Sequence, residues 1–157
     1  MKKIVVVGGG AAGMMAAGFA AKNGAEVILF EQNDLLGKKL RITGKGRCNL
    51  TNDCSVSDVL ENIPVGSRFL HSAINGFNPA DTISFFESLG VRLKTERGGR
   101  VFPESDKASD IVNALVKFMQ KFGVVIKQAL IVSPLLFSQI DENEYEAAIY
   151  VKETLKF

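Results

Sequence analysis

The stretch "KIVVVGGGAAGMMAAGFAAKNGAEVILFE", Lys3 to Glu31, decides how the rest of the chain is read. Lys3 to Val7 is a short β-branched run that ends directly in glycines, the pattern of a strand buried on both faces of a parallel sheet. From Ala11 to about Asn23, small residues, methionines and Phe19 predict a helix, with Gly24 as its stop. Glu26 to Glu31 then reads as a second buried strand. Gly8, Gly10 and Gly13 stand at the first turn in G-x-G-x-x-G spacing, and an acid, Glu31, ends the second strand.

Each of these residues has a physical task in holding a dinucleotide. Gly8 permits the tight turn, Gly10 lets backbone approach a pyrophosphate, and Gly13 lets helix and strand pack closely. The helix start at Ala11 and Ala12 offers free N–H groups and the positive end of a dipole to phosphate oxygens. Glu31 can accept the hydroxyl protons of a ribose. A glycine-rich helix packed on a sheet would explain the glycines, but not an acid closing an apolar strand.

Working outward, 157 residues suit one ordinary domain with a single core. Lysine and arginine number 19 against 17 acids, so net charge gives no general reason to expect nucleic acid. Lys38 to Arg47 holds five cations but no interleaved aromatics, which argues against a nucleic-acid surface there. Lys2 and Lys3 followed by an uncharged run to Ala21 imitate a signal peptide or membrane span. Five glycines between Gly8 and Gly18 weaken both readings, since each interior helical glycine costs about 1 kcal/mol relative to alanine. The expectation is a cytoplasmic chain, not membrane-bound, with Cys48 and Cys54 as reduced thiols. His71 and two cysteines make no recognisable metal set.

After Glu31 a nicotinamide-type half would pass quickly into another helix and a third strand. Instead "QNDLLGKKLRITGKGRCNLTN" follows, with Gly37, Gly44 and Gly46, no clear apolar period and many side-chain donors. Loops that long inside a domain are usually functional. Lys39, Arg41, Lys45 and Arg47 can serve phosphates, while Thr43, Asn49 and Thr51 can bond a ribityl chain or ring edge. A flavin dinucleotide, FAD, fits such a segment better than NAD, and no GxxxxGK[ST] phosphate loop occurs.

Further on, Asn78 as N-cap, Pro79 at the first helical position and Gly90 as stop predict a helix to about Leu89. A second amphipathic helix is predicted from about Lys107 to Phe122, where Ile111, Ala114, Leu115, Phe118, Met119 and Phe122 recur at helical spacing as core residues. Between them Gly98-Gly99 predicts a hairpin turn, with Arg97 and Arg100 either solvated or facing a ligand carboxylate. His71 sits in a short predicted helix without an identifiable partner. The tail from Ile126 alternates apolar and polar residues around a polar turn at Asp141 to Glu144, the pattern of an antiparallel hairpin or meander.

"GGGAAGMMAA", Glu31, "LGKKLRITGKGRCNLTN" and "ERGGRVFPESDKASDIVNAL" together resemble the aminoacetone-oxidase-like family of NAD(P)/FAD-dependent oxidoreductases, some of whose members are linked to reduction of bile-acid intermediates. The resemblance covers most of residues 1–125. It implies an α/β, Rossmann-like FAD-binding fold of the glutathione-reductase type, with a parallel sheet plus an antiparallel meander, incomplete relative to the family. It divides residues 1–157 into a dinucleotide-binding unit (1–31), a flavin-contacting loop (32–54), a helical and hairpin region (55–123) and a meander (124–157), with the family's substrate domain absent. The chain thus reads as an N-terminal portion of a longer flavoprotein.

The cofactor-binding residues implied are Gly8, Gly10, Ala11, Ala12, Gly13, Glu31, Gln32, Lys39, Thr43, Gly46, Arg47, Cys48, Asn49 and Val132, with Cys48 lining the flavin site. The expected activity is FAD-dependent oxidoreduction of a small molecule, with NAD(P)H as one candidate electron donor; no catalytic residue, substrate, electron donor or oligomeric state is assigned. The alternative reading is a noncatalytic nucleotide-binding fragment or a nonfunctional truncation.

Overall fold

A computed structural model describes residues 1–128 and 147–150. The order of elements is β1 (Lys3–Val7), α1 (Ala11–Lys22), β2 (Glu26–Phe30), α2 (Lys38–Ile42), a 3-10 turn (Thr43–Gly46), β3 (Thr51–Asn52), α3 (Val56–Glu61), α4 (Ser67–Gly76), α5 (Pro79–Ser88), β4 (Leu93–Glu96), β5 (Arg100–Pro103), α6 (Ala108–Lys121), β6 (Val125–Lys127) and β7 (Ala147–Tyr150). Rather than the single core expected from length, the chain forms two compact units. One comprises Met1–Arg41 with Leu115–Phe157, the other Ile42–Ala114.

The first unit is built on a four-stranded sheet of order β6-β2-β1-β7. All its pairings are parallel: Lys3 lies opposite Glu26 and Val7 opposite Phe30, Ile28 pairs with Val125, and Ile4 with Ala147. Val5, Val6, Val27 and Leu29 are buried, as apolar strands covered on both faces must be. Met14 and Ala17 of α1 and Leu115, Phe118 and Met119 of α6 join that core. Each Val, Leu, Phe or Met side chain so withdrawn from water contributes about 1.5–3 kcal/mol before entropy is counted. A methyl group on Gly18 would sit 2.3 Å from the Phe118 ring, so this glycine is what lets α1 and α6 close together. Phe118 also meets Phe19 and Phe122 edge-on, with ring centres 5.3 and 5.4 Å away.

The second unit carries a three-stranded antiparallel sheet of order β3-β5-β4. The hairpin at Gly98-Gly99 is present, with Leu93 opposite Pro103 and Glu96 opposite Arg100. Asn78 caps α5 by accepting from the Asp81 N–H while the Asp81 carboxylate accepts from the Asn78 N–H, and Pro79 opens the helix. A like box at Ser55 and Asp58 starts α3.

One expectation is revised. The run after Glu31 contains structure that its composition hid, namely α2, the 3-10 turn and β3. In the tail, both described strands, β6 and β7, are parallel members of the main sheet. The remaining stretch assigned to the meander, including Val132 and the Asp141 to Glu144 turn, lies outside the described residues.

Candidate functional site

In the first unit β1 runs straight into the glycine turn. Gly8 has φ +107°, a backbone state open to glycine, and its N–H donates to the Phe30 carbonyl at 2.8 Å. A Cβ on Gly13 would fall 1.8 Å from the Gly8 carbonyl oxygen, and one on Gly9 2.3 Å from Leu36. Backbone and helix therefore approach as closely as glycine alone permits. Gly10 is the N-cap of α1 in extended conformation, with no side-chain cap on the helix and no acid in its first turn. Met14 is the first helical N–H to bond back, to Gly10, so the N–H groups before it have no partner within the helix. An uncapped start with a positive dipole end suits a phosphate better than it suits any residue nearby.

Glu31 closes this arrangement and is the buried charged residue of the described chain, 7% exposed. Its Oε2 accepts from the Gly9 N–H, and its Oε1 accepts from both the Asn33 N–H, at 2.8 Å, and the Asn33 side-chain amide. A carboxylate has about four acceptor positions, so one remains for an outside donor. Gly9 is gripped from its other side as well, its carbonyl accepting from the Gly37 N–H at 2.8 Å. Gln32 is exposed and Lys39 half-buried, and Lys39 makes no ion pair among the described residues. Arg41 turns its Nε to the Leu36 carbonyl at 3.0 Å. Sequence reasoning missed Asn33, Leu36 and Gly37. The pair Leu36-Gly37, apolar then glycine inside a polar run, was the available signal.

Thr43, Gly46, Arg47, Cys48 and Asn49 lie in the second unit on one tight turn. Gly44, Lys45, Gly46 and Cys48 all have positive φ, at 56°, 57°, 84° and 62°. The Cys48 N–H returns to the Thr43 carbonyl at 3.1 Å. Cys48 is 0% exposed, so protein surrounds its sulfur on every side. Burial pushes its thiol up from the usual range, against a smaller downward pull from the Thr43 hydrogen bond. Asn49 and Lys45 are exposed. Arg47 is not a free cation: its Nη1 meets Glu96 at 2.8 Å and Asp106 at 3.5 Å, and its guanidinium lies 4.1 Å over the Phe102 ring. Arg100 is exposed and His71 stands on α4, with Asn75 3.4 Å from its Nδ1. No helix among the described residues is long and apolar enough to cross a membrane.

A parallel sheet of this order, with a glycine turn feeding an uncapped helix and an acid ending the second strand, defines a Rossmann domain of the dinucleotide-binding class. Residues 2–154 match the family described as the HI0933-like protein Rossmann domain, and the chain belongs to that family. It is 35% identical over 140 residues to the 3-dehydro-bile acid delta(4,6)-reductase of Clostridium scindens, covering 88% of this chain and 34% of that protein. It is 30% identical over the same length to the ribosomal RNA dihydrouridine synthase of Haemophilus influenzae, again covering 88% and 34%. The chain thus spans about a third of the length of these curated relatives. Among solved structures, THI4 of Thermovibrio ammonificans shares the fold with a TM-score of 0.52 at 16% identity, over 81% of this chain and 38% of that one. The narrower aminoacetone-oxidase-like assignment gives way to this broader family.

Proposed function

We propose that the chain is the FAD-binding part of a flavin-dependent oxidoreductase that acts on a small molecule. The observation that carries this reading is the uncapped, acid-free start of α1 at a turn where Gly9 and Gly13 leave no room for side chains and Gly8 has φ +107°. The chain order supports a flavin dinucleotide over a nicotinamide one, because the third strand beside β2, which is β6, follows only after the whole of Ile42–Ala114.

In this reading the N–H groups of Ala11, Ala12 and Gly13 hold the pyrophosphate, and Gly10 supplies the open approach. Glu31 takes a ribose hydroxyl on its remaining acceptor position while its other bonds keep Gly9 in place. Bound FAD would supply hydride chemistry; the protein supplies binding, orientation and electrostatics. Asn49 and Lys45, exposed on the turn Thr43 to Asn49, are proposed as further cofactor-contacting residues. NAD(P)H is the proposed donor and the cytoplasm the proposed compartment. The names of the two curated relatives share one chemistry, saturation of a carbon–carbon double bond. A substrate with an electron-poor C=C bond is therefore the first class to try.

The test is to purify the chain with FAD added, remove the excess, and record the visible spectrum. Retained oxidised-flavin bands, lost in Gly13→Ala, are the expected result. A folded wild-type chain that retains no flavin would leave the noncatalytic alternative.

A further inference from the structure

The turn Thr43 to Asn49 places two non-glycine residues, Lys45 at φ 57° and Cys48 at φ 62°, in a region that L side chains seldom adopt. Such a conformation persists only where its surroundings dictate it. Two backbone bonds close the turn, Arg47 N–H to the Gly44 carbonyl at 3.3 Å and Cys48 N–H to the Thr43 carbonyl at 3.1 Å. Gly44 is pressed so closely that an added Cβ would stand 3.0 Å from both the Asn49 nitrogen and the Phe102 ring. A further constraint is Arg47. Its Nε points back to the Gly44 carbonyl at 3.4 Å, and its plane stacks on Phe102 of β5. Its Nη1 bonds Glu96 at the end of β4 and reaches Asp106, which itself has φ 57°. Lys94 completes the group, 2.8 Å from Asp106 and 3.8 Å from Glu96.

Two cations and two carboxylates balance here, so Arg47 is tied to carboxylates of its own unit. What the cluster does supply is geometry: a planar guanidinium held at both ends fixes the turn to which it belongs. We infer that Glu96 and Asp106 are positioning residues for the turn Thr43 to Asn49, acting through Arg47 to hold it in the left-handed form that presents Lys45 and Asn49. Arg47 and Glu96 are each about one-third exposed, at 32% and 29%, so each link alone is modest and the network acts together. Neither acid is local to the turn; they lie 49 and 59 residues beyond Arg47. The inference rests on the proposed function only for its cofactor arm.

The test compares wild type, Glu96→Gln, Asp106→Asn and the double variant in two measurements. The first needs no flavin: trypsin cleavage after Lys45, followed by mass spectrometry beside a thermal melt. The second is FAD affinity by flavin fluorescence. The expected result is cleavage several-fold faster at an essentially unchanged melting temperature, with FAD affinity about tenfold weaker, a loss of one strong charge-assisted bond. Glu96→Asp, which keeps the charge that holds Arg47, should retain most of the affinity and the slow cleavage. Wild-type cleavage and affinity in the double variant would overturn the inference. So would an equal loss in Glu96→Asp, or a melting temperature that falls in step with the faster cleavage, either of which would mark general structural support. A wild-type chain that binds no FAD defeats the functional proposal alone, and the cleavage arm still decides this one.

Discussion

Cys48 shows how burial sets chemistry at one residue. Its sulfur is enclosed and its thiol held above its usual range of about 9 by the cost of a buried thiolate. The sign for stability follows from linkage: a folded pKa above the unfolded one means the contribution is whole below pH about 9 and declines as pH climbs through the raised value. We expect an alkylating reagent at pH 8 to modify the half-buried Cys54 first and Cys48 only on unfolding. Equal rates at the two thiols, by peptide mapping, would contradict the enclosed position. Arg47 teaches the complementary lesson. As a residue type in a glycine-rich run it advertised phosphate binding, yet its partners Glu96 and Asp106 are far off in sequence, and no local pattern reveals such a pairing.

Among the elements, those governed by local rules were legible. The β1-α1-β2 unit follows from apolar runs, glycine spacing and one acid, and α5 from Asn78-Pro79 at its start. The short α2 and its 3-10 extension were not, because they have no apolar period and depend on left-handed residues that only tertiary contacts enforce. Parallel pairing of β7 with β1 is likewise a long-range choice that alternation cannot reveal. The packing of α1 on α6 gives a prediction at this scale. Gly18→Ala forces a methyl group against the Phe118 ring and should destabilise by about 1–3 kcal/mol in a denaturant melt. Phe118→Leu in the same chain should recover part of that loss, whereas an additive second loss would mean that the contact is elsewhere relieved.

For the whole molecule, the fold class was readable and its division into two compact units was not, since length alone suggested one core. The second unit also leaves apolar side chains in water along α4 and just before it: Val65 and Phe69 are each 88% exposed. Phe69→Ser should therefore change unfolding free energy by no more than about 0.5 kcal/mol while lowering self-association in light scattering. A large loss of stability would show that this ring is buried in solution. The tie between Gly9 and Glu31 has a wider meaning for how the first unit assembles. One hydrogen bond across 22 positions turns the chain around α1 into a closed ring. With the second strand unpaired, Glu31 would leave Gly9 and the turn would keep only the Gly37 N–H on its other side. Order at the glycine turn is therefore tied to the pairing of β1 with β2, since the Phe30 carbonyl that receives the Gly8 N–H and the Glu31 carboxylate both stand at the end of that second strand.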